Sequence, residues 1–188
     1  MKSNSKNSIA SYAFFALLLF LISCTSGTQK RAFSQQFYKD SGLSGNDLKN
    51  VQFYLDRDLV LYRTFNSVNS RVEGGKISLI GGEKVEEVLI RRGTKGVLVF
   101  MPKDDRLGIC FDPQDEKQYL MFGPNPNNGN RYSLLASDWE NGIGYVTYGS
   151  SRWKTTRSNG YASLLVDHTN IKKTTVETEI PSGREVKK

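Results

Sequence analysis

Few residues in this chain carry nucleophilic or metal-binding chemistry: there is one histidine, His168, and there are two cysteines, Cys24 and Cys110. A cysteine hydrolase needs a thiol, an imidazole base and an orienting polar group that the fold brings together. Cys110 lies in an apolar run of strand character, and His168 follows Asp167 where a strand gives way to a turn. We expect Cys110 to act as a small buried hydrophobic residue and His168 to bond at the surface, and we predict no catalytic residues.

Metal and cofactor chemistry is also absent from the pattern. One histidine and one free cysteine cannot complete a zinc shell, and the acidic runs at 56–58 and 112–116 lack the ligand spacing of calcium loops. The glycine pairs at 74–75 and 81–82 are not followed by the Lys-Ser/Thr of a phosphate-binding loop. We therefore predict no metal, no cofactor and no enzymatic activity.

Hydrogen bonding to a sugar or a peptide is the chemistry best represented. Residues 122–132 form a polar stretch with four asparagines between two apparent strands, and an asparagine amide both donates and accepts hydrogen bonds. Aromatic residues that follow in the chain can stack on a sugar ring, among them Tyr145, Tyr148 and Tyr161. We predict ligand or partner contacts at Asn125, Asn127, Asn128, Asn130, Tyr132, Trp139 and Trp153. The alternative is an ordinary long turn beside a core of aromatic residues.

The amino-terminal residues have the organisation of a signal segment. Lys2 and Lys6 stand without an acid, and every residue from 13 to 22 is apolar or aromatic. A membrane-spanning helix needs roughly 20 apolar residues, and this run is half that length. It therefore predicts an exported chain rather than a membrane span.

The run ends in Leu21-Ile22-Ser23-Cys24, which resembles the lipobox of bacterial lipoproteins. The resemblance implies a diacylglyceryl group on the Cys24 thiol, cleavage before Cys24 by signal peptidase II, acylation of the new amino terminus and so a membrane anchor. Thr25 stands where lipoproteins of the inner membrane often carry Asp, which favours the outer membrane with the domain in the periplasm. The alternative is an ordinary signal peptide with an incidental cysteine.

Length and composition indicate one domain behind this segment. We divide the 188-residue chain into a signal peptide at 1–23, a lipidated tether at 24–44, a β-rich domain at 45–181 and a basic tail at 182–188. We expect the far end of the tether to dock on the domain through Phe33, Phe37 and Tyr38. The net charge of +7 is compatible with attraction to anionic envelope material. Because the chain is expected to be exported and has no aromatic-plus-basic RNA motif, we predict no nucleic-acid partner.

The segments that must position the asparagine stretch have the sequence pattern of β-strands. Short runs of β-branched and aromatic residues are bounded by Gly, Asn, Asp, Pro or Ser, with no helical pattern between them. We predict strands at 51–55, 59–65, 76–80, 85–92, 96–101, 107–111, 118–122, 132–136, 142–148, 153–155, 161–166 and 171–180.

Turn residues at 81–82, 103–105 and 149–151 predict hairpins, so neighbouring strands should be antiparallel. The fold class is all-β: a single antiparallel β-barrel or β-sandwich with at most one short amino-terminal helix. We expect that helix at 45–50, capped by Asn46 or Ser44.

Two functions fit these observations. The sequence favours a lipid-anchored accessory protein at the periplasmic face of the outer membrane, which binds an envelope protein partner through strand edges and the asparagine stretch. The alternative is a binding module for cell-wall glycan or another envelope polymer. A row of exposed Trp and Tyr would favour the glycan, and burial of those rings would favour the accessory protein.

Overall fold

The structure is a computed structural model that describes residues 29–64, 76–80, 83–167 and 171. Within these ranges thirteen strands form two sheets, and each pair of hydrogen-bonded strands is antiparallel. One α-helix, α1 (Gln35–Ser41), and three 3₁₀ turns (Asp47–Asn50, Pro126–Asn128 and Asn159–Tyr161) accompany the strands. The predicted all-β antiparallel fold is confirmed.

The first sheet has seven strands. They are β1 (Lys30–Ala32), β2 (Phe53–Leu55), β6 (Lys95–Lys103), β7 (Arg106–Cys110), β8 (Tyr119–Asn125), β9 (Arg131–Leu134) and β13 (Leu164–Asp167). Their order across the sheet is β1-β13-β2-β6-β7-β8-β9. The chain therefore enters and leaves this sheet at the same edge, while β6 to β9 follow one another as a meander.

The second sheet has six strands. They are β3 (Leu59–Thr64), β4 (Lys76–Ile80), β5 (Glu83–Ile90), β10 (Trp139–Glu140), β11 (Ile143–Tyr148) and β12 (Ser151–Thr156). Their order is β10-β11-β12-β3-β5-β4. The short strand β10 forms one edge of this sheet, and it carries one of the two tryptophans.

The two sheets pack as a β-sandwich, which decides between the two predicted architectures. Isolated bridges join Ser34 to Arg131 and Ser133 to Ser163, so the two ends of the seven-stranded sheet approach each other. The strand ladders do not continue through these bridges, and the sheets do not close into a barrel.

The core lies between the sheets and follows the period of two that strands impose. On β3, Leu59 and Leu61 are fully buried while Val60 and Tyr62 are partly exposed. Large side chains from both sheets fill the interior, among them Phe53, Leu55, Ile109, Phe122, Val146 and Trp153. This burial of apolar surface is the main stabilising term available to a chain whose described residues contain no disulfide.

The folded part begins by Lys30, earlier than the residue 45 expected from the sequence. Strand β1 pairs with β13, and Phe33 is fully buried against the core. The Ser34 hydroxyl caps α1 by accepting from the Phe37 N–H at 3.1 Å, and Gly42 ends α1 at φ 66°. Phe37 and Tyr38 pack against the core, as expected.

The helix expected at 45–50 is instead a single 3₁₀ turn, Asp47–Asn50. Asp47 accepts from both the N–H and the hydroxyl of Ser44, at 2.8 and 2.6 Å. The Ser44 hydroxyl oxygen in turn accepts from the Asp47 N–H at 3.3 Å, so Ser44 supplies the expected cap and Asn46 does not. Leu48 is fully buried, so the turn docks before β2 begins. The expected short helix is therefore a four-residue 3₁₀ turn, the short form in which this helix type usually occurs.

Eleven of the twelve predicted strands overlap observed strands, and the three predicted hairpins connect antiparallel neighbours. Lys103 pairs with Arg106 and Tyr148 pairs with Ser151, while the turn residues 81–82 lie outside the described residues. The twelfth predicted strand, 171–180, and the tail at 182–188 also lie outside them, apart from Ile171. Strands β1 and β10 were not predicted.

Tyr132 shows how strongly this core excludes water. Its ring is fully buried with a centroid 4.8 Å from that of Phe33, and its hydroxyl has no hydrogen-bond partner among the described residues. Burial raises the pKa of Tyr132 from 10.0 to about 12. An unpaired buried hydroxyl costs stability because its bonds to water are lost on folding.

We expect Tyr132→Phe to raise the free energy of unfolding by about 1 kcal/mol, because it removes this unpaired hydroxyl. In the unfolded chain Tyr132 ionises near pH 10, so the native protein loses stability as pH rises from 10 toward 12. The variant should lose less stability over that range. Urea unfolding between pH 7 and 11.5 measures both effects, and a variant less stable than the native chain at pH 7 would show that the hydroxyl is satisfied.

Candidate functional site

The asparagine stretch forms a rigid turn between β8 and β9, which we call the Asn loop (residues 125–130). Asn125 accepts from the N–H of Asn127 at 3.0 Å and so caps the 3₁₀ turn that follows. Gly129 and Asn130 adopt left-handed backbone angles, with φ of 60° and 52°, and the Asn130 N–H donates to the Asn125 carbonyl at 2.9 Å. These bonds hold the loop in one shape.

One asparagine attaches the loop to the body of the sandwich. The Asn128 amide donates to the hydroxyls of Ser133 and Ser163, at 3.1 and 2.9 Å, and to the Tyr161 carbonyl at 3.4 Å. Both serines are fully buried, and their hydroxyl oxygens lie 2.9 Å apart. The amide of the predicted contact residue Asn128 is therefore occupied by hydrogen bonds within the protein. We call Asn128, Ser133 and Ser163 the polar junction.

Trp139 on the edge strand β10 presents an exposed ring held in a fixed position. The side chain is 43% exposed, yet its six-membered ring lies on two glycines. A Cβ at Gly160 would lie 2.8 Å from Cη2 of Trp139, and a Cβ at Gly144 would lie 2.9 Å from the same atom. Only glycine leaves the space that this ring occupies.

The Asn loop and Trp139 line one groove, a cavity of about 530 Å³. Tyr161, which is 37% exposed, and the exposed Arg157 complete its polar and aromatic surface. The remaining lining residues are Pro124, Pro126, Leu134, Leu135, Ala136 and Gly160, together with Asn125 and Asn127 of the loop. Its volume lies within the range of small-ligand sites, and its lining combines apolar surface with a few polar groups.

Within the groove, Asn127 presents the amide most available to a ligand. Asn127 is exposed, and its side chain makes no hydrogen bond to the described part of the chain. Asn125 also lines the groove but uses its side-chain oxygen to cap the turn. Asn130, also predicted as a contact, is exposed but does not line the groove, and its carbonyl accepts from Gln35 N–H at 3.0 Å.

Two other predicted contacts are core residues, and their burial removes them from any surface site. Tyr132 is fully buried against the rings of Phe33 and Tyr38, and Trp153 is only 2% exposed. The Trp153 ring N–H donates to the Tyr148 carbonyl at 3.2 Å, and the Arg63 guanidinium stacks on its ring at 4.5 Å. Trp153 points inward because it alternates on β12 with the exposed Arg152.

Of the residues considered for nucleophilic chemistry, only Cys110 lies in the described part of the chain, and it is a core residue. Cys110 is 2% exposed and its thiol lies 3.3 and 3.4 Å from the carbonyl oxygens of Asp112 and Asp115. Burial raises the pKa of the Cys110 thiol, which disfavours the nucleophilic thiolate. His168 and Cys24 lie outside the described residues. Over the described ranges, no group of three or more His, Cys, Asp or Glu is placed to hold a metal ion.

Sequence reasoning missed Arg157 and the two glycines beneath Trp139, and it named Tyr161 only as one of several nearby aromatics. Arg157 follows β12, and its N–H donates to the Gly142 carbonyl at 2.8 Å. This bond joins the end of β12 to the turn that follows Trp139. No local signal marks Gly160, because the ring that packs on it belongs to Trp139, which is far from it in the chain.

Comparison with protein-family models, curated proteins and solved structures finds no match to this chain. Among the described residues, none of the helices has the length and apolar character needed to span a bilayer. The groove's own geometry therefore carries the functional argument.

The packing of the Trp139 ring on Gly160 can be tested by substitution of the glycine. We expect Gly160→Ala to push the indole out of its position and lower the free energy of unfolding by about 1 kcal/mol through overpacking. Iodide quenching of tryptophan fluorescence should rise, because the buried Trp153 is shielded and Trp139 supplies the quenchable signal. The matched control is Gly45→Ala, where the added Cβ would meet the flexible Met101 side chain. Equal iodide quenching in both variants would show that Gly160 does not hold the Trp139 ring in position.

Proposed function

We propose that this chain is a lipid-anchored protein of the bacterial cell envelope whose β-sandwich binds glycan in the groove between the Asn loop and Trp139. The observation that carries the proposal is the convergence of Trp139, Tyr161 and Asn127 on one cavity, although they lie on separate elements. Of the rings named from the sequence, Trp139 and Tyr161 are exposed, whereas Trp153 and Tyr148 are buried. Of the two functions open from the sequence, the exposed pair in the groove favours the binding module.

A sugar ring matches the two kinds of surface in the groove. A pyranose has an apolar face of C–H groups, which packs against an aromatic ring, and a rim of hydroxyls that both donate and accept hydrogen bonds. The exposed rings of Trp139 and Tyr161 supply the first surface, and the Asn127 amide supplies the second. Such a ligand leaves few polar groups unpaired when it binds.

The fixed positions of these groups support binding further. Trp139 rests on Gly144 and Gly160, and the polar junction holds the loop and the Tyr161 carbonyl together. Groups that are already ordered lose little conformational entropy when a ligand arrives. A rigid groove can therefore bind a flexible glycan with useful affinity.

The lipid anchor at Cys24 is supported by the signal-like segment and the lipobox-like Leu21-Ile22-Ser23-Cys24. Because β1 begins at Lys30, only five residues separate it from Cys24. A fully extended chain of that length spans about 20 Å, so the domain would stay close to the membrane surface. The proposed location of the anchored protein is the periplasmic face of the outer membrane.

An accessory role with an envelope protein partner is the second candidate. Val97 and Phe100 on β6 are 47% and 36% exposed, which leaves an apolar surface outside the groove. Purification of the chain from gently solubilised envelopes distinguishes the two roles. A protein present in near-equal amount would support the accessory role, and co-purification of glycan fragments would support the groove.

Groove binding is tested with purified cell-wall sacculi in a co-sedimentation assay. We expect Trp139→Ala to weaken binding by about tenfold or more, and Asn127→Ala by about fivefold, because they remove a stacking ring and one hydrogen bond. Matched controls are Phe100→Ala and Asn46→Ala, an exposed aromatic residue and an exposed amide outside the groove. Native-like binding by both groove variants would contradict the proposal.

The anchor is tested separately by growing cells with radiolabelled palmitate. We expect the native chain to carry label and to sediment with membranes, whereas Cys24→Ala should lose the label and keep its precursor size. Cys110→Ala is the control, because a buried core thiol is no acylation site. A Cys24→Ala chain found in the membrane fraction at the mature size would overturn lipidation at this residue.

A further inference from the structure

We infer that the groove takes a sugar that bears a carboxylate, and that Arg157 binds this carboxylate; the inference rests on the proposed glycan function. Arg157 is exposed, lines the groove and stands on the same cavity wall as Tyr161. Its backbone is fixed beside the groove, because its N–H donates to the Gly142 carbonyl and its own carbonyl accepts from the Gly160 N–H at 3.1 Å. The guanidinium therefore extends from a backbone that two hydrogen bonds hold in place.

The charge of Arg157 is not balanced inside the groove. No Asp or Glu lines the cavity, and Arg157 forms no salt bridge over the described ranges. Asp138, the carboxylate that precedes Trp139 in the chain, is paired with Arg152 at 3.1 Å. A ligand carboxylate would therefore meet a cation that has no competing partner in the lining.

The guanidinium fork fits carboxylates and phosphates alike, so the preference for a carboxylate comes from the single cation in the groove lining. A planar fork of N–H donors matches the two oxygens of a carboxylate, and both hydrogen bonds form in one plane. Phosphate and sulfate groups present more oxygens than one arginine satisfies, and the groove lining contains no second cation. Stacking on Trp139 and the carboxylate bond to Arg157 would together orient one sugar unit.

The test uses two tetrasaccharides that differ only in lactyl ether groups, each of which carries a carboxylate. A chitin tetramer is neutral, and the peptide-free tetramer of alternating N-acetylglucosamine and N-acetylmuramic acid has the same linkages with added lactyl carboxylates. We expect calorimetry to show about tenfold tighter binding of the acidic tetramer, as one charge-assisted pair contributes. Methyl esterification of its carboxylates should remove the difference.

Arg157→Gln should bring the affinity of the acidic tetramer to that of the chitin tetramer and leave the chitin affinity unchanged. Arg92→Gln, at an exposed arginine outside the groove, is the matched control and should retain the difference. Equal binding of both tetramers by the native chain, or an equal gain with an O-sulfated chitin tetramer, would overturn the carboxylate assignment and leave the glycan function standing. Failure to bind any of these sugars would overturn both.

Discussion

The buried polar junction of Asn128, Ser133 and Ser163 is the constraint on which the site depends. It lies where the two ends of the seven-stranded sheet meet through an isolated bridge, so no continuous strand ladder fixes their distance. Two fully buried hydroxyls would be costly if unpaired, and here they bond to each other and to one amide. Because these bonds form in only one arrangement, they position the Asn loop against residues 159–163. Neighbouring backbone bonds, such as Leu134 N–H to the Ala162 carbonyl at 2.9 Å, add to this connection.

The junction therefore joins the two walls of the groove. The Asn loop forms one wall, and the segment 157–161 with Trp139 forms the other. The Tyr161 carbonyl accepts from Asn128 at 3.4 Å and from the Ser163 hydroxyl at 2.9 Å, so the wall that holds Tyr161 is bonded to the loop itself. A groove whose walls are hydrogen-bonded to each other keeps its width, which is what a site for a ring-shaped ligand needs. Because Asn128 makes these bonds, its amide serves the fold, whereas the exposed Asn127 amide lines the groove.

Much of this fold was predictable because strands have a simple period and turns have characteristic residues. Strands β3, β11 and β12 follow the expected ranges within two residues. The segment 30–41 was not predictable in the same way, since its polar composition resembles a tether and its order comes from pairing with β13, far along the chain. Its local signals were Ser34 and Gly42, the two caps of a short helix. The site was half predictable: composition indicates the Asn loop, but the different fates of Trp139 and Trp153 depend on which sheet face each strand buries.

The path of the amino-terminal segment connects the proposed anchor to the proposed groove. Ser34 forms a bridge with Arg131, and Gln35 N–H donates to the Asn130 carbonyl at 3.0 Å, so the Asn loop lies beside the first residues of the domain. Under lipidation at Cys24, about 20 Å of extended chain precedes β1, and β1 itself has three residues. The groove would then be held near the membrane instead of projecting far from it. A glycan that reaches it must either lie along the membrane surface or extend toward it, and the exposed Lys30 and Arg31 on β1 would favour an anionic surface on that side.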